Sequence, residues 1–257
     1  MYTFKSRVRY SEIDADGRLG ILGMMNYLQD GSTFHSEDAG VGVDYFQKNH
    51  KAWMLSSWRI RIEELPKLGE TILVGTWPTA FKGLHGFRDF VIQNKAGMPL
   101  VTAHSVWFLY DTQRHLPLRV SQADQEPYGE PEPPLDMGED PGKIRLPEAM
   151  EEGEPVRILR HHLDTNCHVN NAWYVEMARD ALPERIKIRE IRADYKKAVL
   201  LGDIVTPRIG RGPAGEWIVA LEGRDGEICA AICLTDQRDD SRKDTGEQKK
   251  KRENQHD

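Results

Sequence analysis

One order of elements occurs twice in this chain, and it limits the fold more than any other feature. The first pass opens with alternating Tyr2, Phe4, Val8 and Tyr10, a strand pattern, and then reads Glu12-Ile-Asp14-Ala-Asp16-Gly-Arg18-Leu19. Helical spacing follows over Met24 to Asp38. Four strand-like runs come next, Trp53–Glu63, Thr71–Trp77, Gly86–Gln93 and Leu100–Tyr110, with turn signals at Pro66–Gly69 and Asn94–Gly97. The second pass has a short strand at Val156–Arg160, the segment His162 to Val169, and a helix over Ala172–Leu182 that Pro183 stops. Its four runs are Ile186–Lys196, Ile204–Ile209, Glu216–Glu222 and Ile228–Thr235. Asp14 and Asp164, Tyr27 and Tyr174, and Leu68-Gly69-Glu70 and Leu201-Gly202-Asp203 fall at corresponding places. Two such units predict an α+β chain with two antiparallel sheets, each carrying a helix on one face.

Between the passes, residues 112–154 hold seven of the chain's 14 prolines and a cluster of acids. That composition predicts a stiff, solvated connector and not a core element. From Gln237 to Asp257 no Leu, Ile, Val or aromatic residue occurs, so this stretch reads as a disordered charged tail. The longest apolar run, Ile228 to Leu234, is far short of the about 20 residues that a membrane helix needs. Met1 to Arg9 is charged from Lys5 and does not read as a secretory signal. Cys167, Cys229 and Cys233 form no C-x-x-C pair, which points to a reducing compartment, read here as cytoplasmic. With 35 basic against 41 acidic residues the chain lacks the cationic excess of a nucleic-acid binder.

Asp164, Asn166 and His168 stand at i, i+2 and i+4, which in an extended segment puts all three side chains on one side. Asn170 and Asn171 supply a helix cap directly after them. A carboxylate, an amide and an imidazole beside a helix N-terminus suit acyl transfer, with Asp164 as base or nucleophile, Asn166 holding a carbonyl or water, and His168 moving protons. Simple turn and cap roles account for the same residues. Cys167 with His168 would make a thiol nucleophile, but neighbours on an extended backbone point apart. His161, His162, Cys167 and His168 fit no standard zinc spacing, so no metal is expected.

The run from Leu163 to Tyr174 resembles the D-x-N-x-H-V-N-N-x-x-Y motif of acyl-[acyl-carrier-protein] thioesterases, double hotdog enzymes of fatty-acid synthesis in plants and bacteria. Ile13 to Leu19, Asn26 to Gln29, Ala52 to Leu55, Thr76 to Pro78 and Arg88 to Phe90 are similar to that family in order and spacing. The resemblance covers about residues 3–236. It implies a tandem (double) hotdog, two antiparallel sheets each wrapping a long helix. An N-terminal acyl-pocket half would occupy 1–115, the linker 116–154, the catalytic half 155–236 and the tail 237–257. The family's catalytic Asp, Asn and His carry onto Asp164, Asn166 and His168. One departure stands out: where plant members have Y-[KR]-[KR]-E-C, this chain has Tyr195-Lys196-Lys197-Ala198-Val199. The thiol is absent there and so is the acid. Glu176, two residues past Tyr174, is a substitute candidate, and a solvated helix face is its alternative. Asp16 matches the Asp that some single-hotdog thioesterases use, but Arg18 replaces the imidazole of that half.

The implied activity is hydrolysis of fatty acyl-[acyl-carrier protein] to free fatty acid, without a cofactor. Alternatives are an acyl-CoA thioesterase and a non-catalytic acyl-binding module. The implied partner is an acyl-carrier protein with its phosphopantetheine-linked acyl chain, met by a monomer or homodimer. For docking an acidic carrier the densest basic run outside the tail offers Lys187, Arg189 and Lys196. The apolar residues of the first helix, Met24, Met25, Tyr27, Leu28 and Phe34, suit an acyl tunnel or plain packing on the sheet.

Overall fold

A computed structural model describes residues 1–237 of the chain. The charged tail expected at 237–257 therefore lies outside the described residues, apart from Gln237. That residue closes the fold, its backbone N–H donating to the Lys187 carbonyl at 2.8 Å.

The first half contains β1 (Tyr2–Arg7), α1 (Ile21–Asp38), α2 (Val43–Lys48), β2 (Lys51–Ile62), β3 (Thr71–Lys82), β4 (His85–Asn94) and β5 (Pro99–Asp111). The connector carries β6 (Leu116–Leu118), α3 (Gln122–Gln125) and β7 (Glu151–Glu152). The second half contains β8 (Val156–Arg157), α4 (Asn171–Asp180), β9 (Ile188–Tyr195), β10 (Ile204–Arg211), β11 (Trp217–Gly223) and β12 (Ile228–Asp236). The eight long runs read from sequence are all strands. The short elements α2, α3, β6 and β7 carry too few residues for a periodicity to show.

The expectation of two sheets is corrected to one. Strands follow the order β1-β3-β4-β5-β2-β9-β12-β11-β10-β7, all neighbours antiparallel, with β6 on β5 and β8 on β10. The halves join through β2 and β9, from Ser57 opposite Asp194 to Arg61 opposite Glu190. Each of these strands would otherwise end its half-sheet with unpaired N–H and C=O groups, and pairing them removes both edges. The second helix falls within two residues of its expected bounds and is the shorter of the pair, α4 having 10 residues against 18 in α1.

Both helices lie side by side on one face, α1 over β3 and β4 and α4 over β11 and β12. Met24, Met25 and Leu28 of α1 and Ala172, Val175 and Ala178 of α4 are fully buried in one core with Ile60, Phe90, Ile191 and Ile232. Burying each large side chain is worth about 1.5–3 kcal/mol, so the apolar helix stripes fix which way α1 and α4 face.

The connector is not the solvated strap that its composition suggests. Past Tyr128, which meets Ser36 of α1, it crosses the opposite face of the sheet and is bound from Glu132 to Ile144. Glu132 N–H donates to Pro78 O (2.9 Å), Trp77 Nε1 to Pro133 O (3.1 Å), and Leu135 N–H to Asp89 Oδ2 (2.7 Å). Further on, Arg61 donates to Met137 O (3.0 Å), Arg59 to Glu139 O (2.9 Å), and Ile144 N–H to Asp194 Oδ2 (2.9 Å). Prolines remove N–H donors from such a segment and leave carbonyl acceptors. The outward-facing arginines of β2 supply the matching donors. Tyr128, Met137 and Ile144 are buried under or within the strap. Met137→Ala is expected to lower unfolding free energy by about 2–3 kcal/mol in denaturant titration, whereas exposed Glu139→Ala should change it by less than about 0.5 kcal/mol. Equal small effects would mean that the strap is not held by its apolar contacts.

Candidate active site

Residues 163–169 form a tight hairpin and not the extended run expected. Leu163 bridges Val169, Asp164 N–H donates to His168 O (2.8 Å) and Cys167 N–H to Asp164 O (3.1 Å). The cause is Asp164 itself. Its Oδ1 accepts the backbone N–H of Asn166 (2.8 Å) and of His168 (3.2 Å), and such side-chain bonds pull Asp-x-Asn segments into turns. Cys167 takes a φ of 60°, a left-handed conformation that costs a side-chain-bearing residue of order 1 kcal/mol or more. The first half builds the same turn over Ile13–Leu19. There Gly17, at φ 77°, takes the position of Cys167, each second-half residue carries its counterpart's number plus 150, and on that offset Tyr27 corresponds to Met177 and not to Tyr174.

Each turn runs directly into a helix and meets the helix of the other half. In one crossing Asn170 caps α4, its Oδ1 accepting Ala172 N–H (2.9 Å), and Gln29 of α1 donates to the same oxygen (3.2 Å). Beside it opens a cavity of about 420 Å³. Asp164, Thr165, Asn166, Asn170 and Asn171 line it from the second half. From the first half come Gln29, Asp30, Ser32, Thr33 and Ser36 of α1, with Phe46, Trp53, Phe81, Phe87, Arg88 and Trp107, and from the connector Tyr128. Aromatic walls interspersed with polar groups are the usual make-up of a small-molecule site.

The equivalent crossing is filled. Arg179 of α4, the counterpart of Gln29, donates to Asp14 Oδ2 (2.9 Å) and pairs with Glu176 Oε2 (2.6 Å). Glu176 is 6% exposed, so the solvated helix face considered for it is corrected. It lies in the filled crossing and does not line the cavity, which separates it from the auxiliary part considered for it. Burial pushes its carboxyl up to about 7, with Asp180 and Asp14 adding to the rise and Arg179 opposing it. Asp16 is exposed and spends Oδ1 on the Arg18 N–H (3.0 Å), while Arg18 pairs with Glu64 (2.9 Å).

Of the residues expected to act together, Asp164 and Asn166 reach the cavity and His168 does not line it. His168 is half-buried, bridges Leu200, and has no hydrogen-bond partner for its buried Nδ1 among the described residues. Cys167 is exposed at the tip of the turn. His161 packs edge-on and His162 at a tilt against Trp173, ring centroids 5.4 and 4.9 Å away, and His162 Nδ1 accepts the Leu159 N–H (3.0 Å). Met24, Met25 and Leu28 belong to the core and not to the cavity wall, which uses the other face of α1. That polar face, Gln29, Ser32, Thr33 and Ser36 at helical spacing, is the sequence signal for the cavity, opposite the apolar stripe that packs on the sheet. The three docking candidates are not gathered in one patch. Lys187 precedes β9 and Lys196 follows it, about 30 Å apart along an extended strand. Lys197 is tied to Asp225 and Glu227.

Residues 1–128 match the family model described as the acyl-ACP thioesterase N-terminal domain, and residues 147–220 match its C-terminal domain. A palmitoyl-acyl carrier protein thioesterase of Arabidopsis thaliana, described as chloroplastic, is 28% identical over 74% of this chain and 50% of its own length. The chain thus spans about half the length of that curated relative. An acyl-ACP thioesterase from Bacteroides thetaiotaomicron superposes with a TM-score of 0.78 at 24% identity, covering 90% of this chain and 96% of the other. A 12:0-ACP thioesterase from Umbellularia californica gives 0.78 at 19% identity, covering 91% and 96%. These two likenesses show a shared fold.

The filled crossing generates a pH effect of known sign. A carboxyl whose value rises from 4.5 to about 7 on folding favours the fold most below 4.5 and loses that contribution as pH climbs to about 7. Glu176→Gln should therefore raise the melting temperature at pH 8 by about 2–4 °C, as 1 kcal/mol does in a chain of this size, and change it little at pH 4. Parallel melting curves for the two proteins from pH 4 to 8 would refute this account of Glu176.

Proposed function

Because the chain belongs to the acyl-[acyl-carrier-protein] thioesterase family, we propose that it hydrolyses the thioester joining a fatty acyl group to acyl-carrier protein and releases the free acid. The observation that supports this most is the cavity itself, aromatic along its walls and bounded at one end by Asp164, Asn166 and the start of α4. The acyl chain lies against Trp53, Phe81, Phe87 and Trp107, and the phosphopantetheine arm leaves past the turn. In this reading the first half, 1–115, shapes the acyl site, the connector 116–154 adds Tyr128, and the second half, 155–236, supplies the reacting groups. The three unpaired cysteines fit a reducing compartment such as the cytoplasm.

The chemistry follows from the free groups. Asp164 spends Oδ1 on the turn and keeps Oδ2 for a water. Oδ2 takes a proton from that water as its oxygen attacks the thioester carbonyl. The carbonyl oxygen becomes an oxyanion held by the Asn166 side-chain amide and the Asn171 N–H. Asn171 opens α4, where unpaired amides and the helix dipole favour negative charge. Collapse breaks the C–S bond, and the proton held by Asp164 passes to the leaving thiolate. His168, behind the turn whose backbone it helps to close, acts as a positioning residue for Asp164. No cofactor enters these steps.

Two measurements test this reading. Asp164→Ala should lower kcat on acyl-carrier-protein substrate by about 10²-fold or more, while loss of its two turn hydrogen bonds lowers the melting temperature by no more than a few degrees. His168→Ala should cost less than about tenfold in kcat and leave the pH–rate profile in place. A loss from His168→Ala as large as that from Asp164→Ala, with one limb of the profile gone, would mean that the imidazole itself exchanges protons with substrate. Near-normal turnover in Asp164→Ala would sink the site.

Carrier docking is proposed at the Lys196 end of β9, since Tyr195 beside it donates to the Asn171 carbonyl (2.9 Å) and so borders the turn–helix junction. Lys196→Glu should raise KM for acyl-carrier protein about three- to tenfold, more at low salt, without changing kcat/KM for a short acyl thioester. Lys187→Glu should alter neither. Equal losses from both substitutions would move the dock elsewhere.

A further inference from the structure

The halves of the chain meet at the turn end of the cavity through two side-chain amides. Gln29 of α1 and Asn170, the cap of α4, both line it. A backbone N–H only donates, so the Asn170 atom that meets the Ala172 N–H at 2.9 Å is the oxygen, Oδ1. The Gln29 atom 3.2 Å from that same oxygen is then the donor, Nε2. One backbone bond thus fixes the orientation of both amides. What remains for the cavity is a donor, Asn170 Nδ2, and an acceptor, Gln29 Oε1. Among the described residues neither atom has a hydrogen-bond partner, and neither is sealed from water as His168 Nδ1 is.

The pair stands next to the reacting groups. The filled crossing shows how near: Arg179, the counterpart of Gln29, reaches Asp14 Oδ2 at 2.9 Å. Asp14 is the counterpart of Asp164, so position 29 lies within one long side chain of the Asp164 carboxylate. Glutamine is the shorter side chain, and the space it leaves is open to a thioester. In the thioesterase reading the acyl chain runs from there along the polar face of α1 to Ser36 and Tyr128, whose hydroxyls meet at 3.0 Å. The arm that carries the sulfur leaves on the turn side, past Gln29 and Asn170.

We propose that Gln29 and Asn170 together bind the amide of the pantetheine arm nearest the sulfur, Asn170 Nδ2 donating to its carbonyl oxygen and Gln29 Oε1 accepting its N–H. The inference deepens the thioesterase reading and rests on it. A secondary amide offers a donor and an acceptor side by side, which complements what the pair leaves open. In a pantetheine thioester only a short ethylene link separates this amide from the sulfur, so it lies beside the pair when the thioester carbonyl lies beside Asp164. Neither half makes the subsite alone, since α1 supplies the acceptor and the cap of α4 the donor. The filled crossing has neither group, because Arg179 carries no acceptor and Gly20 no side chain.

Three thioesters of one octanoyl group separate the two bonds. N-acetylcysteamine as the thiol keeps the amide, O-acetyl mercaptoethanol keeps the carbonyl without the N–H, and pentanethiol has neither. With kcat/KM divided by each compound's rate of hydroxide cleavage in solution, the wild-type order should be amide over ester over alkyl. Each step should be about three- to tenfold, the worth of one neutral hydrogen bond. Gln29→Met, which keeps the length and removes the acceptor, should bring the amide down to the ester. Asn170→Ser, which still caps α4, should bring the ester down to the alkyl compound. Melting curves check that both variants fold, and should one not, the ratio in the other decides. Octanoyl-carrier protein and octanoyl-CoA share the arm, so each variant should cost both by the same factor, and the higher wild-type kcat/KM tells which of them delivers it. A loss on one alone, equal normalised values for the three thioesters, or ratios that survive the substitutions overturn the proposal and leave the thioesterase reading intact. Failure to cleave both octanoyl-carrier protein and octanoyl-CoA refutes that reading instead. In that case, or should the small thioesters resist cleavage, calorimetric binding of the octyl thioethers of the same three thiols decides. The amide should then bind tightest, and equal affinities overturn the proposal.

Discussion

The pairing of β2 with β9 determines nearly everything else in this molecule. These are equivalent strands of two equivalent halves, and they meet antiparallel, so the junction has the geometry of a two-fold interface written within one chain. Inward-facing Ile60 and Ile191 sit opposite each other there, and both belong to the shared core. Once the sheet is continuous, α1 and α4 must lie next to each other on its inner face. Each turn that precedes a helix then abuts the helix of the opposite half. A site made from one half's turn and the other half's helix follows from that pairing without any further device.

Two crossings of this kind form, and a single difference separates them. Where α4 presents Arg179, its guanidinium reaches Asp14 and Glu176 and the crossing closes as an ionic plug. Where α1 presents Gln29, the neutral amide reaches only Asn170 and leaves room beyond. The turns themselves adjust to match. Gly20 has no side chain because a Cβ there would lie 2.5 Å from Asp14 Oδ1, whereas its counterpart Asn170 carries one and uses it to cap α4. The closed crossing holds the buried ion pair and the open one holds the groups free to meet a ligand.

The sequence made the repeat, the strands and the two Asp-centred turns legible because each rests on local pattern: alternation, helical spacing and turn chemistry. It hid whatever depends on where distant segments land. Nothing in the alternation of β2 or β9 says that these two strands pair with each other. Composition described the connector well and its environment badly. The prolines do make it stiff, but Arg59, Arg61, Asp89 and Asp194 on the outer face of the sheet bind its backbone. The spacing of Asp164, Asn166 and His168 suggested one shared face only on the premise of an extended backbone. The Asp164 side chain bends the chain into a turn, and so it brings Asn166 to the cavity without His168. Glu176 read as a surface acid by its composition and is buried by a partner 162 residues earlier in the chain, Asp14, held through Arg179.

Arg88 and Asp89 show how neighbouring residues of one strand place opposite charges on its two faces. Adjacent residues of β4 point to opposite faces of the sheet. On the outer face Asp89 is 2% exposed, and its two oxygens meet the Leu135 N–H at 2.7 Å and His104 Nδ1 at 2.6 Å. The strap fastens there, and the partners of the carboxylate come from the protein alone. On the inner face Arg88 is buried almost as deeply, and among the described residues its Nη1 meets Thr76 and His35 while its guanidinium lies over the Tyr128 ring. A charge satisfied by its own fold needs nothing from outside. On the cavity side the guanidinium is held, among the described residues, by neutral partners: an imidazole, a hydroxyl and an aromatic ring.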